Sequence, residues 1–210
     1  MKSALLAFLL AGPAAAGDHA LPPPPPLGSR VDYSADVVEF DGEKSTLHLS
    51  GDVVLKTFQT KESTVTIKGE DLWIDTERRA GRSVRPLFID DGVSAVYGES
   101  GEFDFAKRTS RLLRSSTGVG DWRIHAREAQ LYGDRRMTFR GADFTSCDRV
   151  PPDYRFRASS VRVVPKKYVL AKNTVFYLGR APVFYTPIFY RSLNPNPRLR
   201  WRFQPGYDRR

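Results

Sequence analysis

Cysteine and histidine are scarce in this 210-residue chain, and their scarcity excludes several classes of protein. The single cysteine, Cys147, rules out a disulfide within the chain and has no CxxC partner for a metal site. No two of the three histidines, His19, His48 and His125, have the spacing of metal ligands. A GxSxG elbow, a phosphate-binding loop and an HExxH motif are also absent. We therefore predict no catalytic residue, no metal and no cofactor, and a protein that is not an enzyme.

One carboxylate pair, Asp90-Asp91, deserves a separate test because paired carboxylates can carry acid–base chemistry. Gly92 follows the pair directly, and an Asp-Gly step is typical of a turn between strands. The turn is the better interpretation of these two residues.

The N-terminus has the pattern of a secretory signal peptide over residues 1–16. Lys2 supplies the positive charge, Ala4–Ala11 the apolar stretch, and Ala14–Ala16 a small-residue cleavage site. The apolar stretch is shorter than the roughly 20 residues of a membrane-spanning helix. Residues 17–30 contain five consecutive prolines and are predicted to be an extended spacer. We expect an exported protein; a buried N-terminal helix is the alternative.

The net charge of +9 comes from an excess of arginine that is unevenly distributed. One group, Arg78, Arg79, Arg82 and Arg85, is predicted to share a loop, and a second group loads the chain from Arg180 onward. Basic clusters bind nucleic acid, anionic lipid headgroups or phosphorylated glycolipid. Export argues against nucleic acid as a partner. A solvated basic surface without a ligand is the simpler alternative.

A six-residue phrase recurs about every 26–34 residues and carries the strongest structural signal. Each copy opens with a small residue and places apolar or small side chains at its fourth and sixth positions. The copies are Ala35–Phe40, Gly69–Ile74, Ser100–Phe105, Ala126–Leu131 and Ala158–Val163. Alternation with a period of two gives a strand one dry face and one wet face. Stacked units of this size predict an all-β fold: a sandwich, a jelly roll or an open solenoid.

The parity of the alternation identifies the residues that should face inward. In an open trough they would form a continuous apolar lining suited to an elongated lipid; in a closed β-sandwich they would only fill the core. The predicted lining residues are Val38, Phe40, Leu47, Leu49, Val53, Leu55, Val65, Ile67, Leu72, Ile74, Phe103, Phe105, Leu131, Met137 and Phe139. At Ser159-Ser160 the parity shifts, which predicts a bulge or a bend.

The character of the chain changes near Gly179. Residues 179–190 combine aromatic side chains with two prolines, and residues 198–207 alternate aromatics with arginines. This composition is typical of a strand that meets lipid headgroups. An aromatic strand that packs on the preceding domain fits it equally well.

Several stretches together resemble the N-terminal periplasmic part of the LptD (OstA) family of lipopolysaccharide-assembly outer-membrane proteins. The matching pieces are Ala35–Asp41, Leu49–Val54, Phe144–Asp148, Tyr154–Ala158 and Ala181–Pro187. The first piece alone is also similar in style to the smaller LptA and LptC proteins, and the ordered set is more specific. The resemblance spans residues 31–207.

This resemblance implies an open β jelly roll over residues 31–178 that binds lipopolysaccharide acyl chains and passes them from a periplasmic bridge to the outer membrane. It also implies an LptA-like bridge partner of the same fold, held by edge-strand pairing, and a barrel with an LptE-like plug lipoprotein. Residues 179–210 would be the aromatic and arginine-rich transition, ending where the first barrel strand begins in that family. The implied location is the periplasm and the outer membrane. The alternatives are a stand-alone LptA/LptC-like bridge protein and a structural β domain without lipid.

Two fates remain for Cys147: a buried, inert thiol or an intermolecular disulfide. In the resembled family, a cysteine in this motif bonds to the barrel. The resemblance therefore implies a free thiol in this chain unless an external partner supplies the second cysteine.

Overall fold

The computed structural model describes residues 31–60 and 63–194. The predicted signal peptide, the proline-rich spacer and the arginines from Arg198 onward lie outside the described residues. Within them, every regular element is a strand. The strands are β1 Val31–Ser34, β2 Val37–Asp41, β3 Thr46–Thr60, β4 Ser63–Asp75, β5 Ala80–Ser83, β6 Leu87–Asp90, β7 Ala95–Gly98, β8 Ser100–Asp104, β9 Thr109–Val119, β10 Trp122–Tyr132, β11 Met137–Thr145, β12 Tyr154–Val164, β13 Tyr168–Leu178 and β14 Ala181–Ser192.

All fourteen described strands pair antiparallel in one sheet that is folded over on itself. The long strands change neighbours at the fold: β4 pairs with β6 through Thr66–Gly69 and with β5 through Trp73–Asp75. We call the half that contains β2, β5 and β8 layer 1, and the half that contains β1, β6 and β7 layer 2. Strands β3, β4 and β9–β14 run through both layers. The all-β, trough-like jelly roll expected from the sequence is confirmed.

The line along which the sheet folds, here called the crease, crosses β9 to β14 at equivalent residues. Arg127 and Ser159 lie on it without a partner in the strand register. On the alternate strands, Arg114, Gly141 and Asn173 adopt φ values of 46°, 58° and 50°. A left-handed residue inside a strand bends it and increases its twist. The bend predicted at Ser159-Ser160 is therefore one step of a fold that spans six strands.

Small side chains line the inner surface of the crease. They face one another in register across five strands and are at most 8% exposed: Ser115, Ala126, Ala142, Ala158 and Thr174. Because no large side chain stands between the layers here, the two layers converge. This explains why the repeated phrases open with a small residue, as at Ala126 and Ala158.

Along each strand every second residue faces inward, except at the crease, where successive inward residues are three positions apart. In β11 the buried apolar residues are Met137, Phe139, Ala142 and Phe144. Strands β4, β9, β10, β12 and β13 keep the same pattern. Strand β3 instead carries an extra residue in a bulge at Gly51-Asp52, where Gly51 has a φ of 97°.

No segment among the described residues has the length and apolar character of a membrane-spanning helix.

Five hairpin turns follow one another along the free edge of layer 1. They join β2 to β3, β4 to β5, β8 to β9, β10 to β11 and β12 to β13, and recur about every 30 residues. In the first three, the carboxylates of Asp41, Asp75 and Asp104 accept hydrogen bonds from backbone N–H groups of the turn. These turns give the sequence its repeat, because each repeat unit is one hairpin of the folded sheet.

Candidate functional site

An apolar slot opens between the free edges of the two layers, opposite the crease. Its cavity volume is about 70 Å³. Layer 1 contributes Phe103, Phe105, Leu131 and Met137, whereas layer 2 contributes Val65, Ile67 and Ile89. All but Ile89 were predicted as lining from the alternation. The slot is therefore one place where the predicted inner face reaches solvent.

Most of the predicted lining lies inside the fold. The buried residues are Leu47, Leu49, Val53, Leu55, Ile67, Leu72, Ile74, Phe103, Met137 and Phe139. Three more, Val65, Phe105 and Leu131, are partly buried at the slot. Their shared face agrees with the alternation, and lipid contact by these residues stays a prediction.

Val38 and Phe40 differ from the rest because they are 36% and 46% exposed. They lie opposite Leu49 and Leu47 on β3, so they point to the same face as the buried lining. They remain exposed because β2 is an edge strand with no neighbour beyond it among the described residues. The lining therefore continues to the open edge of the sheet.

A group of aromatic side chains fills the inner face toward β14 and is absent from the predicted lining. Phe156 is central: its ring centroid lies 5.2 Å from that of Phe144, 4.9 Å from Phe176 and 5.3 Å from Phe189. Trp122 packs on Phe144 at 5.5 Å. The alternation of Trp122, Ile124 and Ala126 carried the signal for part of this group, but in the sequence Phe144 and Phe156 served only as family motif residues.

Charged side chains surround the mouth of the slot. Arg108, Arg135 and Arg136 approach it from the turns of layer 1, and the Arg136 guanidinium lies 4.4 Å from the centre of the Tyr132 ring. Asp104 borders the slot as well. The backbone N–H of Lys107 donates to this carboxylate and, with the Lys107 ammonium, holds the pKa of Asp104 below its ordinary value.

The carboxylate pair at the other side of the mouth shapes a turn, as predicted. Asp90 accepts a 2.7 Å hydrogen bond from the backbone of Gly92, and Asp91 accepts one of 2.7 Å from Ser94. Both carboxylates are thus engaged in holding the connection between β6 and β7.

The arginines from Arg78 to Arg85 do not share a loop, which corrects the sequence prediction. Arg78 and Arg79 lie in the turn after β4, and Arg82 belongs to β5. Arg85 follows β5 and pairs with Glu70 at 3.3 Å. These arginines are close in sequence but separated in space, because β5 leads the chain from the turn to the crease.

The outer face of the sheet carries ion pairs between charged side chains of neighbouring strands. Glu128 accepts from Arg111 at 3.0 Å and from Arg140 at 3.5 Å, and the hydrogen bond from Arg111 lowers the pKa of Glu128. Arg157 pairs with Asp143 at 2.9 Å. Opposite faces of the same strands are therefore chemically distinct.

His48, on the outer face, links three strands. Its Nε2 lies 2.6 Å from an oxygen of Asp71 on β4, its Nδ1 lies 3.2 Å from Glu39 on β2, and its ring stacks on Trp73 at 3.9 Å. Burial alone would lower the pKa of His48, but the hydrogen bonds to the two carboxylates outweigh it and raise that pKa.

The described residues bring no three potential metal ligands together.

No protein-family model matches this chain, and no curated protein matches it. Among solved structures, it is similar to LptH of Pseudomonas aeruginosa, described as the LptA-homologous periplasmic component of a lipopolysaccharide transport device. The identity is 16% and the TM-score 0.41, with 49% of this chain and 75% of LptH covered. The fold described above rests on the strand pairing of the chain itself.

The two ends of the sheet differ in their capacity to accept another strand. Strand β14 pairs with β13 alone but contains Pro182 and Pro187, which cannot donate backbone hydrogen bonds. At the other end, β1 and β2 contain no proline. Natural sheets use proline to blunt an exposed edge, so the β1–β2 edge is the better template for pairing.

Cys147 lies in the connection between β11 and β12 and is half-buried. Its backbone N–H donates to the Thr145 hydroxyl at 3.0 Å, and the Arg123 guanidinium donates to its carbonyl. These contacts hold the backbone of the loop and leave the thiol uncommitted within the chain.

Proposed function

We propose that this protein transports lipopolysaccharide by holding its acyl chains between the two layers. The observation that carries the proposal is the apolar inner face, which opens at the slot and reaches exposed residues, Val38 and Phe40, at the β1–β2 edge. A simple structural domain has no need of an apolar face that continues to an unpaired edge, because such an edge invites aggregation. The ordered stretches that resemble LptD-type proteins support the same ligand.

The hydrophobic effect supplies the affinity. An acyl chain of about a dozen methylenes gains roughly 10 kcal/mol when it leaves water, at about 0.8 kcal/mol for each methylene. Inside a continuous lining, each contact that is lost as the chain slides is replaced by a similar one. Movement along the trough is therefore nearly level in free energy, whereas escape into water is not.

The slot must widen to admit this ligand. Its volume of about 70 Å³ is comparable to a few water molecules, at about 30 Å³ each in the liquid. The layers are joined at the crease and free at the mouth, so separation of their free edges is the motion that admits a chain. Small residues at the crease allow this without displacement of large side chains.

The partner in this proposal is an LptA-like bridge protein of the same fold, which pairs with the β1–β2 edge. Exposed Val38 and Phe40 would then be covered by equivalent residues of the partner, and the lining would continue from one molecule to the next. The corresponding location is the periplasm, with delivery to the outer membrane, where an LptE-like plug and its barrel would receive the lipid.

Binding is tested with the full mature chain expressed in a bacterium that makes lipopolysaccharide. Mass spectrometry of the purified protein should detect co-purifying glycolipid. Leu131→Asp, which places a charge in the slot, should lose it. Gln130→Asp, on the outer face of the same strand, should retain it. Absence of glycolipid from the wild type, or equal retention by both variants, would refute lipid carriage.

Edge pairing is tested separately. Val38→Pro removes a backbone donor from β2 and should weaken association with a bridge protein, as judged by cross-linking. The buried core should stay folded by circular dichroism, because β2 pairs with β3 alone. Unchanged association by a folded variant would place the docking edge elsewhere.

A further inference from the structure

Four consecutive hairpin turns along the free edge of layer 1 each carry two adjacent cations. We call them the cationic turn row, and its members are Arg78-Arg79, Lys107-Arg108, Arg135-Arg136 and Lys166-Lys167. Each turn is separated from the next by two strands, so the pairs recur about every 10 Å along the edge. The row is regular because the hairpins are regular.

The first three turns are fixed relative to one another by direct contacts. The N–H of Phe105, in the second turn, donates to the carbonyl of Arg79, in the first, at 2.9 Å. The Arg108 stem lies against the backbone of Gly133 in the third turn, where a Cβ on Gly133 would be 2.8 Å from the Cβ of Arg108. These three turns of the row are therefore held in place before any ligand binds.

Each pair includes a residue in a backbone conformation that normally selects glycine. Arg79, Arg108, Arg135 and Lys166 have φ values of 54°, 53°, 64° and 62°. Glycine or asparagine adopts this left-handed conformation at lower cost than a long side chain. The presence of a cation at the same position of four turns, in spite of this cost, indicates that the charge itself serves a purpose.

Part of this charge is available to a ligand. Lys107 and Arg78 form exposed ion pairs with the turn carboxylates Asp104 and Asp75, at 3.1 and 3.6 Å. Among the described residues, no ion pair is formed by Arg108, Arg135, Lys166 or Lys167. Arg108 and Arg135 border the slot itself.

The free edge of layer 2, across the slot from the cationic turn row, carries mainly acidic residues. Among the described residues, this edge of layer 2 contains Asp90 at the end of β6 and, in its connections, Asp91, Asp121, Asp148 and Asp153, with Arg149 and Arg180 as the cations of those connections. An anionic group at the mouth is therefore attracted to layer 1 and repelled from layer 2. This asymmetry gives the bound molecule one orientation across the slot.

We propose that the cationic turn row binds phosphate groups on the headgroup of the lipid whose acyl chains occupy the slot, and hands them from turn to turn as the lipid advances. Arginine suits this role because its planar guanidinium donates two hydrogen bonds to one phosphate. The proposal rests on the proposed function for the location of the acyl chains, whereas the phosphate contacts depend only on the turns.

The test uses the triple variant Arg108→Gly/Arg135→Gly/Lys166→Gly of the full chain. Glycine removes three cations and suits the left-handed backbone, so the fold should be retained. Arg114→Gly is the matched control, because Arg114 has a φ of 46° but lies at the crease, where it pairs with Glu99. The probes are lipid A with two phosphates, the same lipid after dephosphorylation, and short-chain polyphosphate.

For the triple variant, we expect at least a tenfold loss of affinity for bisphosphorylated lipid A and little change for the dephosphorylated lipid. Arg114→Gly should bind both like the wild type. An equal loss for both lipids, or no loss for either, would overturn the phosphate assignment. If the wild type binds neither lipid, the proposed function fails. In that case, polyphosphate binding by the wild type and by Arg114→Gly that the triple variant loses would still support phosphate binding by the cationic turn row. Absence of polyphosphate binding by the wild type would overturn it.

Discussion

Two buried threonines in layer 2 of this fold should respond in opposite directions to the same substitution. Thr174 is fully buried in the small-residue row at the crease, and its Oγ1 has no hydrogen-bond partner among the described residues. Thr117 is 8% exposed, and its Oγ1 donates to the carbonyl of Ala95 at 2.6 Å. Replacement by valine exchanges the hydroxyl for a methyl group of similar size in both cases.

The expected magnitudes follow from the burial of these hydroxyls. A buried hydroxyl without a partner costs about 1–3 kcal/mol, so Thr174→Val should raise the free energy of unfolding by about 1–2 kcal/mol. Thr117→Val removes the hydrogen bond from Oγ1 and leaves the carbonyl of Ala95 without this donor. It should therefore lower the free energy of unfolding by about 1–2 kcal/mol. Each kcal/mol corresponds to about 2–4 °C in Tm for a domain of this size.

The assay is urea unfolding followed by tryptophan fluorescence, with thermal melts as a second measurement. Equal m-values would show that both variants unfold from the same compact state. Destabilisation by Thr174→Val as large as that by Thr117→Val would refute the reasoning, because it would mean that the crease hydroxyl is engaged.

Three further outcomes follow from single sites. Gly81→Ala should destabilise the fold by about 1–3 kcal/mol in urea unfolding, since its Cβ would lie 2.2 Å from the Phe103 ring; a neutral effect would show that this ring moves freely. The raised pKa of His48 means that its ion pairs stabilise the fold below the ordinary histidine pKa of about 6.5 and are lost as the pH rises through the higher folded pKa. The stability difference between wild type and His48→Gln should therefore shrink from pH 6 to pH 9, and a constant or growing difference would contradict the assignment. Cys147 should be alkylated completely under denaturing, non-reducing conditions, whereas a blocked thiol with a higher-mass species would reveal an intermolecular disulfide.

The strand content and the inner face could be predicted because they depend on local alternation. Leu47 and Leu49, for example, are buried as their parity indicates, and the small residue that opens each phrase was visible in the sequence. The significance of that residue was not visible. Ala126 and Ala158 meet in the crease only because β11 lies between their strands and contributes Ala142.

Features that depend on the order of strands could not be predicted from one sequence. Val38 has the parity of a lining residue, but its exposure follows from the position of β2 at the sheet edge. The cationic turn row unites Arg108 with Arg135, which are far apart in sequence, while Arg78 and Arg85, which are close in sequence, end on opposite sides of layer 1. Charge clusters therefore had to be located by turns and not by runs of residues.

The central claim is that lipid acyl chains enter between the layers, and Leu131 and Gln130 offer the most direct test. Leu131 lines the slot, whereas Gln130 lies on the opposite face of the same strand, beside Arg111. A photo-crosslinking amino acid at each position, in the full chain incubated with lipopolysaccharide, compares interior with exterior. Strong capture from position 131 and little from position 130 is the result expected here; equal capture from both positions would contradict an interior path.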